Sequence, residues 1–346
     1  MLAKHLFNSV SLVAAAITAF AAPLDKSKIS ADAKWLLHLD VDAFRKTTVG
    51  EHVIGQILQP QLDAHEEFKK LNLSLNVQNI SSITAYGSAF EKNGQGVLML
   101  TTTADVKKDL DTLAGMSSVV GADKKGLILL QQQPYLLYCF NKDVFIAPKV
   151  ADTVLIAKSQ EQIDNARDVL MGKAKTLAQN SEFGGYPETP NGFFVGMADG
   201  FNDAEHHMPP QAQVLKEARG GRVALGETDR SLFVNLVFRG KDEEGSAKIQ
   251  QVLQGLVALV SLSQQDKDIT DLANATKVSL QGRNVIVDVH CPSNELIEKI
   301  EAKHKNKNIA QNGDDSETQK KPKKKKKKAK VSDDAADKAP VENNAK

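Results

Sequence analysis

Aromatic side chains make up only 5% of the 346 residues, with Trp35 the single tryptophan. A surface that stacks sugars or bases draws on such rings, so the composition argues against one. Cysteine is scarcer still, with Cys139 and Cys291 the only two. One pair so far apart in sequence allows one disulfide but gives thin support for it, and free buried thiols are the expectation. After the first twenty or so residues no apolar run is long enough to cross a bilayer as a helix. Catalytic motifs are missing too. No Gly-x-Ser-x-Gly elbow surrounds Ser88, Ser117 or Ser118. Gly94-Gln95-Gly96, Gly220-Gly221 and Gly172-Lys173 lack the remaining positions of either phosphate-cradling glycine pattern, and turns and helix ends account for them. No cofactor and no catalytic residue is implied.

What the sequence does have begins at its N-terminus. Lys4 and His5 precede an apolar stretch from Leu6 to Phe20, and Ala19, Phe20 and Ala21 supply the small-x-small pattern read by a signal peptidase. Pro23 disfavours a cut one residue later, so residues 1–21 are the expected signal peptide and Ala22 the mature start. The product is then periplasmic or secreted. No cysteine stands directly after the apolar stretch, so a lipoprotein anchor is not expected.

Charge is unevenly spread. Residues 303–346 hold 14 lysines and seven acids, leaving residues 22–302 with a net charge of −7. The run Lys320-Lys321-Pro322-Lys323-Lys324-Lys325-Lys326-Lys327-Lys328-Ala329-Lys330 places nine lysines in eleven residues, among polar neighbours with almost nothing apolar. Such a segment cannot bury enough apolar surface to offset its ordering entropy, so residues 305–346 read as a disordered arm. Its lysines suit an anionic polymer or an envelope surface; a solvating tail is the plainer alternative.

The same order of segments occurs twice. Trp35-Leu-Leu-His-Leu-Asp-Val-Asp-Ala-Phe44 resembles Gly192-Phe-Phe-Val-Gly-Met-Ala-Asp-Gly-Phe201, with Asp42 on Asp199. Thr84-Ala-Tyr-Gly87 then aligns with Val223-Ala-Leu-Gly226, and Ser159-Gln-Glu-Gln-Ile163 with Ser293-Asn-Glu-Leu-Ile297. These matches predict two related α+β halves, residues 30–173 and 192–304, joined by a Gly- and Pro-rich linker over 174–191.

Hydrophobic period predicts a strand over 34–41 with Trp35, Leu37, Leu39 and Val41 on one face, and a helix over 51–71 broken near Pro60. Strands follow at 80–86 and 96–103, a helix at 105–114, and strands within 126–157. Ser159 and Gln162 form a capping box. In the second copy Ile249, Val252, Leu253, Leu256, Val257 and Val260 share one helical face, before strands at 275–281 and 284–291. Each half should carry an antiparallel or mixed sheet with helices packed on it, built on an extended ferredoxin-like β-α-β-β-α-β core.

Three polar sets merit weighing as sites. His38, Asp40 and Asp42 alternate along a strand and could converge on a divalent ion, which would make a metal-dependent hydrolase. The second copy has Val195, Met197 and Asp199 there, so only the last carboxylate recurs; a helix cap explains Asp42 and Asp199 without metal. Adjacent His206 and His207, near Asp203 and Glu205, read as a solvated loop before Pro209 and Pro210. His65-Glu66-Glu67 lacks the second histidine of a zinc-protease helix.

With Leu177, Asn180 and Phe183 leading into the second copy, residues 30–302 resemble uncharacterised bacterial exported proteins that carry a duplicated domain of unknown function. The resemblance implies a duplicated exported body and supplies no catalytic residue. The expected function is a non-catalytic binding or structural protein, with Lys320, Lys321, Lys323 to Lys328 and Lys330 contacting a polyanion.

Overall fold

A computed structural model of the chain describes residues 23–64, 73–90, 96–119, 126–180, 183–187, 189–200, 214, 216–262 and 267–302. The expected signal peptide over residues 1–21, His65, His206, His207 and the lysine run from Lys320 to Lys330 lie outside the described residues. The chain divides into two compact units at residues 299 and 300, and the first of them holds every strand.

Strand β1 (Trp35–Asp40) passes into helix α1 (Val41–Arg45) because the Asp40 carboxylate accepts the Ala43 N–H at 2.8 Å. Thr47 caps α2 (Thr48–His52) in the same way, through the Gly50 N–H at 2.9 Å. Winding then widens to a π-helix over Val53–Leu58, directly before α3 (Gln59–Ala64). Pro60 lies there, and its missing N–H and bulky ring cannot continue a regular ladder. Strands β2 (Ile80–Gly87) and β3 (Gly96–Thr102), helix α4 (Val106–Val119), strands β4 (Leu127–Gln131), β5 (Leu137–Phe140), β6 (Val144–Val150) and β7 (Thr153–Ala157), and helix α5 (Gln160–Leu170) complete the first half. The second half comprises β8 (Gly192–Asp199), β9 (Ala218–Thr228), β10 (Ser231–Gly240), α6 (Glu243–Ser261), α7 (Lys267–Asn274), β11 (Thr276–Gln281) and β12 (Asn284–Pro292), followed by a helix over 293–302. No helix among the described residues is long and apolar enough to cross a membrane.

All twelve strands join one sheet, in the order β11-β12-β10-β9-β8-β1-β2-β3-β7-β6-β5-β4, and every neighbouring pair is antiparallel. The α+β class expected from the sequence is present, as one large antiparallel sheet carrying helices. Strands β1, β2 and β3 form a meander, whereas a ferredoxin-like order would set another strand between β1 and β2. The halves meet where β1 pairs with β8, so no sheet edge separates them.

Outward from that pair the order is β1-β2-β3-β7-β6 on one side and β8-β9-β10-β12-β11 on the other. Ser159 follows β7 and Ser293 follows β12, each opening a helix. The shorter match between Ala85 and Ala224 does not share this register. Ala85 pairs with Leu37 while Ala224 pairs with Val195, which lies opposite His38, so the two alanines point to opposite faces.

Both faces of the sheet are packed, in different places. On the face bearing Leu36, residues Leu36, Tyr86, Val97 and Ala157 form one cross-strand row beneath Ile163 and Ala166 of α5. On the face bearing Leu37, α4 lays Val106 and Leu110 over Leu100 and Val154, and α6 lays Ile249 over Val285. Helix α4 contacts β4 and β6, and α6 contacts β9, β10, β11 and β12, toward opposite ends of the sheet. Leu37 in the middle is therefore 46% exposed, and the buried side of β1 is Leu36, His38 and Asp40. Apolar alternation alone pointed to the other side.

The segment expected to be a linker is part of this core. Leu177 and Phe183 are buried with Leu36, the Leu177 N–H donates to Ile29 O at 2.8 Å, and Asn180 Nδ2 donates to Ala31 O at 2.8 Å. Cys139 on β5 and Cys291 on β12 are both free thiols. Nine strand spacings separate their strands, on the order of 40 Å along the sheet, far beyond disulfide reach.

Candidate functional site

Over the junction of the halves, on the Leu36 face, lies a groove of about 1030 Å³. Its floor is His38 from β1, Val195 and Met197 from β8, and Arg222 from β9. These share a face because Arg222 pairs with Met197, Met197 with Leu36, and Val195 with His38. One wall is the end of α1 with Lys46 and Thr47; the other is formed by the described residues of segment 183–191, from Phe183 to Pro187 and from Thr189 to Asn191.

That second wall lies against the sheet because β9 carries glycine beneath it. A methyl group on Gly226 would come within 2.3 Å of Asn191 O, and one on Gly220 within 3.0 Å of the Tyr186 hydroxyl. Neither contact leaves room for a side chain. The wall is tied down along its length. Lys26 Nζ donates to Phe183 O at 3.0 Å, Asn284 Nδ2 donates to Gly185 O at 3.3 Å, and Arg239 donates to Gly184 O. The Arg239 guanidinium also lies 4.3 Å from the centre of the Tyr186 ring.

Several ionisable groups of the groove have structural work. Asp40 caps α1. The Glu227 carboxylate accepts the Thr48 and Val49 N–H groups of α2 at 3.0 and 3.3 Å. Burial pushes the pKa of Glu227 up, but those bonds outweigh it and hold the carboxyl below the ordinary glutamate range. His38 Nδ1 and Thr84 Oγ1 are 2.9 Å apart across the β1–β2 ladder.

Arg222 is different. It is only 6% exposed, and burial presses its pKa downward. Its Nη1 donates to Asn235 Oδ1 at 3.0 Å and its Nη2 to Thr189 Oγ1, while Asn235 Nδ2 donates to Asp288 Oδ1 at 2.7 Å. Both direct acceptors are neutral, so among the described residues the guanidinium is fixed in place without a carboxylate touching it.

The structure does not assemble the metal set weighed from sequence. His38 and Asp40 line the groove, but Asp42 lies in the first turn of α1 and binds Arg45 Nη1 at 2.7 Å. Among the described residues no group of three His, Cys, Asp or Glu side chains is placed to hold a metal ion. The cap is Asp40, not Asp42, because the strand ends at Asp40 and the helix already begins at Val41. Asp40 and Asp199 are thus the last residues of β1 and β8. Asp199 is buried, with Arg219 Nε 3.9 Å from its carboxylate, and its N–H donates to Lys34 O at 2.9 Å.

A second cavity of about 280 Å³ is bordered by Asp32, Tyr86, Gln162 and Asp168. Burial first, then the Asp32 charge, raises the Tyr86 phenol well above its ordinary pKa, so it stays protonated. Sequence reasoning found His38 and Asp40 but missed Arg222. The available signal was Gly220-x-Arg222-x-Ala224-x-Gly226, one strand face on which an arginine stands among residues too small to cover it.

No protein-family model and no curated protein matches the chain. Among solved structures, crystal forms IV and I of TP0453 are similar over 81% of this chain and 97% and 98% of theirs respectively, each at TM-score 0.44 and 11% identity. A likeness of that strength carries no functional argument.

Proposed function

We propose that the chain is an exported, non-catalytic binding protein made of two related halves, with a ligand groove over their junction and a basic arm for anionic partners. The groove carries this reading, because Asp40 and Glu227 spend their charges on helix starts and Arg222 is fixed by neutral acceptors. Such a floor is built to hold a molecule. Export is supported by the signal-like N-terminus. A duplicated origin is supported by the matching strand order on either side of β1 and β8.

The groove reading is tested with Nile red, a neutral apolar dye, on the full chain. One saturable site is expected, lost in Val195→Trp, which fills the floor; unchanged dye binding in that variant would remove the groove from the account. For the arm, a single-stranded oligonucleotide is titrated across a salt series. Binding should weaken steeply with salt through counterion release, and replacing the nine lysines of 320–330 by glutamine should flatten the slope. Equal slopes in both forms would dismiss the arm as the contact.

A further inference from the structure

Buried charges are normally paired, and Arg222 is buried without a carboxylate of the described residues in contact. Two of its donors are used, by Asn235 and Thr189, which orients the guanidinium plane at the groove. The remaining donors have no protein acceptor among the described residues. A planar guanidinium with donors to spare is matched by a planar carboxylate, which it can hold through two parallel bonds.

The surroundings narrow the ligand further. Among the described residues, Lys26, Lys46, Arg222 and Arg230 border the groove, as do Asp40, Glu227 and Asp229, an excess of one positive charge in that set. That balance suits a single negative charge better than a phosphate dianion, which would meet three carboxylates. The rest of the lining includes Phe183, Phe193, Val195, Met197 and Pro187, so an apolar stretch stands beside the charged groups for part of a guest's surface. At about 1030 Å³ there is space for a long apolar body.

We infer that the groove binds an apolar molecule carrying one carboxylate, with the acid seated on Arg222 and the apolar body between the 183–191 wall and α1. This rests on the reading of the groove as a binding site and adds the chemical class of its occupant. Thr189 and Asn235 act as positioning residues, holding the guanidinium ready before the acid arrives.

The test uses the full chain at fixed, moderate salt, with laurate as the acid and 1-dodecanol as its neutral counterpart, followed by calorimetry. Laurate should bind the wild type at least tenfold more tightly than dodecanol. Arg222→Gln should erase that gap while leaving dodecanol affinity within about twofold, and Arg222→Lys should restore part of it. The wild-type gap needs no variant, so misfolding of Arg222→Gln would not spare the inference. Equal affinity for acid and alcohol would overturn the carboxylate assignment and leave the groove standing; a gap that survives Arg222→Gln would do the same, placing the acid elsewhere. Failure of both compounds to bind would overturn the groove reading and this inference together.

Discussion

The two halves share a strand order but not a core. In the first half Leu36, Leu137, Leu155 and Ile163 are fully buried in one cluster, and Leu100, Tyr138 and Val154 form another under α4. In the second, the cluster of buried residues among those described is Ala218, Ile249 and Val285, and α6 leaves Val252, Leu256 and Leu259 exposed. The same topology can therefore be stabilised by side-chain burial or by ladder pairing. In the second half the smaller buried cluster is accompanied by the long β9–β10 and β10–β12 ladders and by the clamped wall from residue 183.

Mutations that delete buried methyl groups should break the halves apart most clearly. Leu155→Ala is expected to cost about 3 kcal/mol, since a fully buried leucine loses transfer energy and leaves a cavity. Leu256→Ala, at a side chain 36% exposed, should cost under about 1 kcal/mol. Urea unfolding midpoints measure both; comparable losses would mean that α6 is packed as firmly as β7.

A smaller effect separates two carboxylates of the first half. Asp40→Ala removes the cap of α1 and should cost about 1 kcal/mol. Asp42→Ala removes an ion pair in which both side chains are about a quarter exposed, and should cost about 0.5 kcal/mol or less. Thermal midpoints would decide, and a larger loss at Asp42 would restore it as the cap.

Smallest is the contribution of Glu227, which ties β9 of the second half to α2 of the first. Its pKa is depressed in the folded protein, so its contribution is complete above the ordinary glutamate value of 4.5 and is lost as pH falls through the folded pKa. Glu227→Gln should accordingly lose less stability than the wild type as pH falls below the ordinary glutamate value of 4.5. Parallel acid curves for the two proteins would show that the Thr48 and Val49 contacts do not form in solution.

Much of the fold was legible because its elements are local. Strands at 80–86, 275–281 and 284–291 were marked by alternation and turns, and fall within a residue of Ile80–Gly87, Thr276–Gln281 and Asn284–Pro292. The Ser159 cap was marked by its hydroxyl and Gln162, and the bond from Gln162 N forms at 3.3 Å. Partnership between distant strands was not legible. Nothing in Trp35 to Asp40 says that β8 lies beside it, and without that neighbour the buried side of β1 reads as Leu37 and Leu39 instead of Leu36 and His38. Segment 174–191 looked like a linker because glycine and proline mark turns, yet its described residues from 183 onward lie over β9, where Gly220 and Gly226 leave room for them, and wall the groove. Arg222 was invisible for the same reason, since only the neighbours brought by the sheet bury it.

The central claim is that the halves form one sheet through β1 and β8, with the groove across the join. Amide hydrogen exchange of the full chain tests this directly at Leu36–Leu39 and Phe194–Met197. Interior strands paired on both sides should exchange as slowly as β2 and β9, through the larger openings of the sheet. Fast exchange at these amides, of the kind expected at the outer strands β4 and β11, would mean that the halves end in separate edges and that no groove spans them.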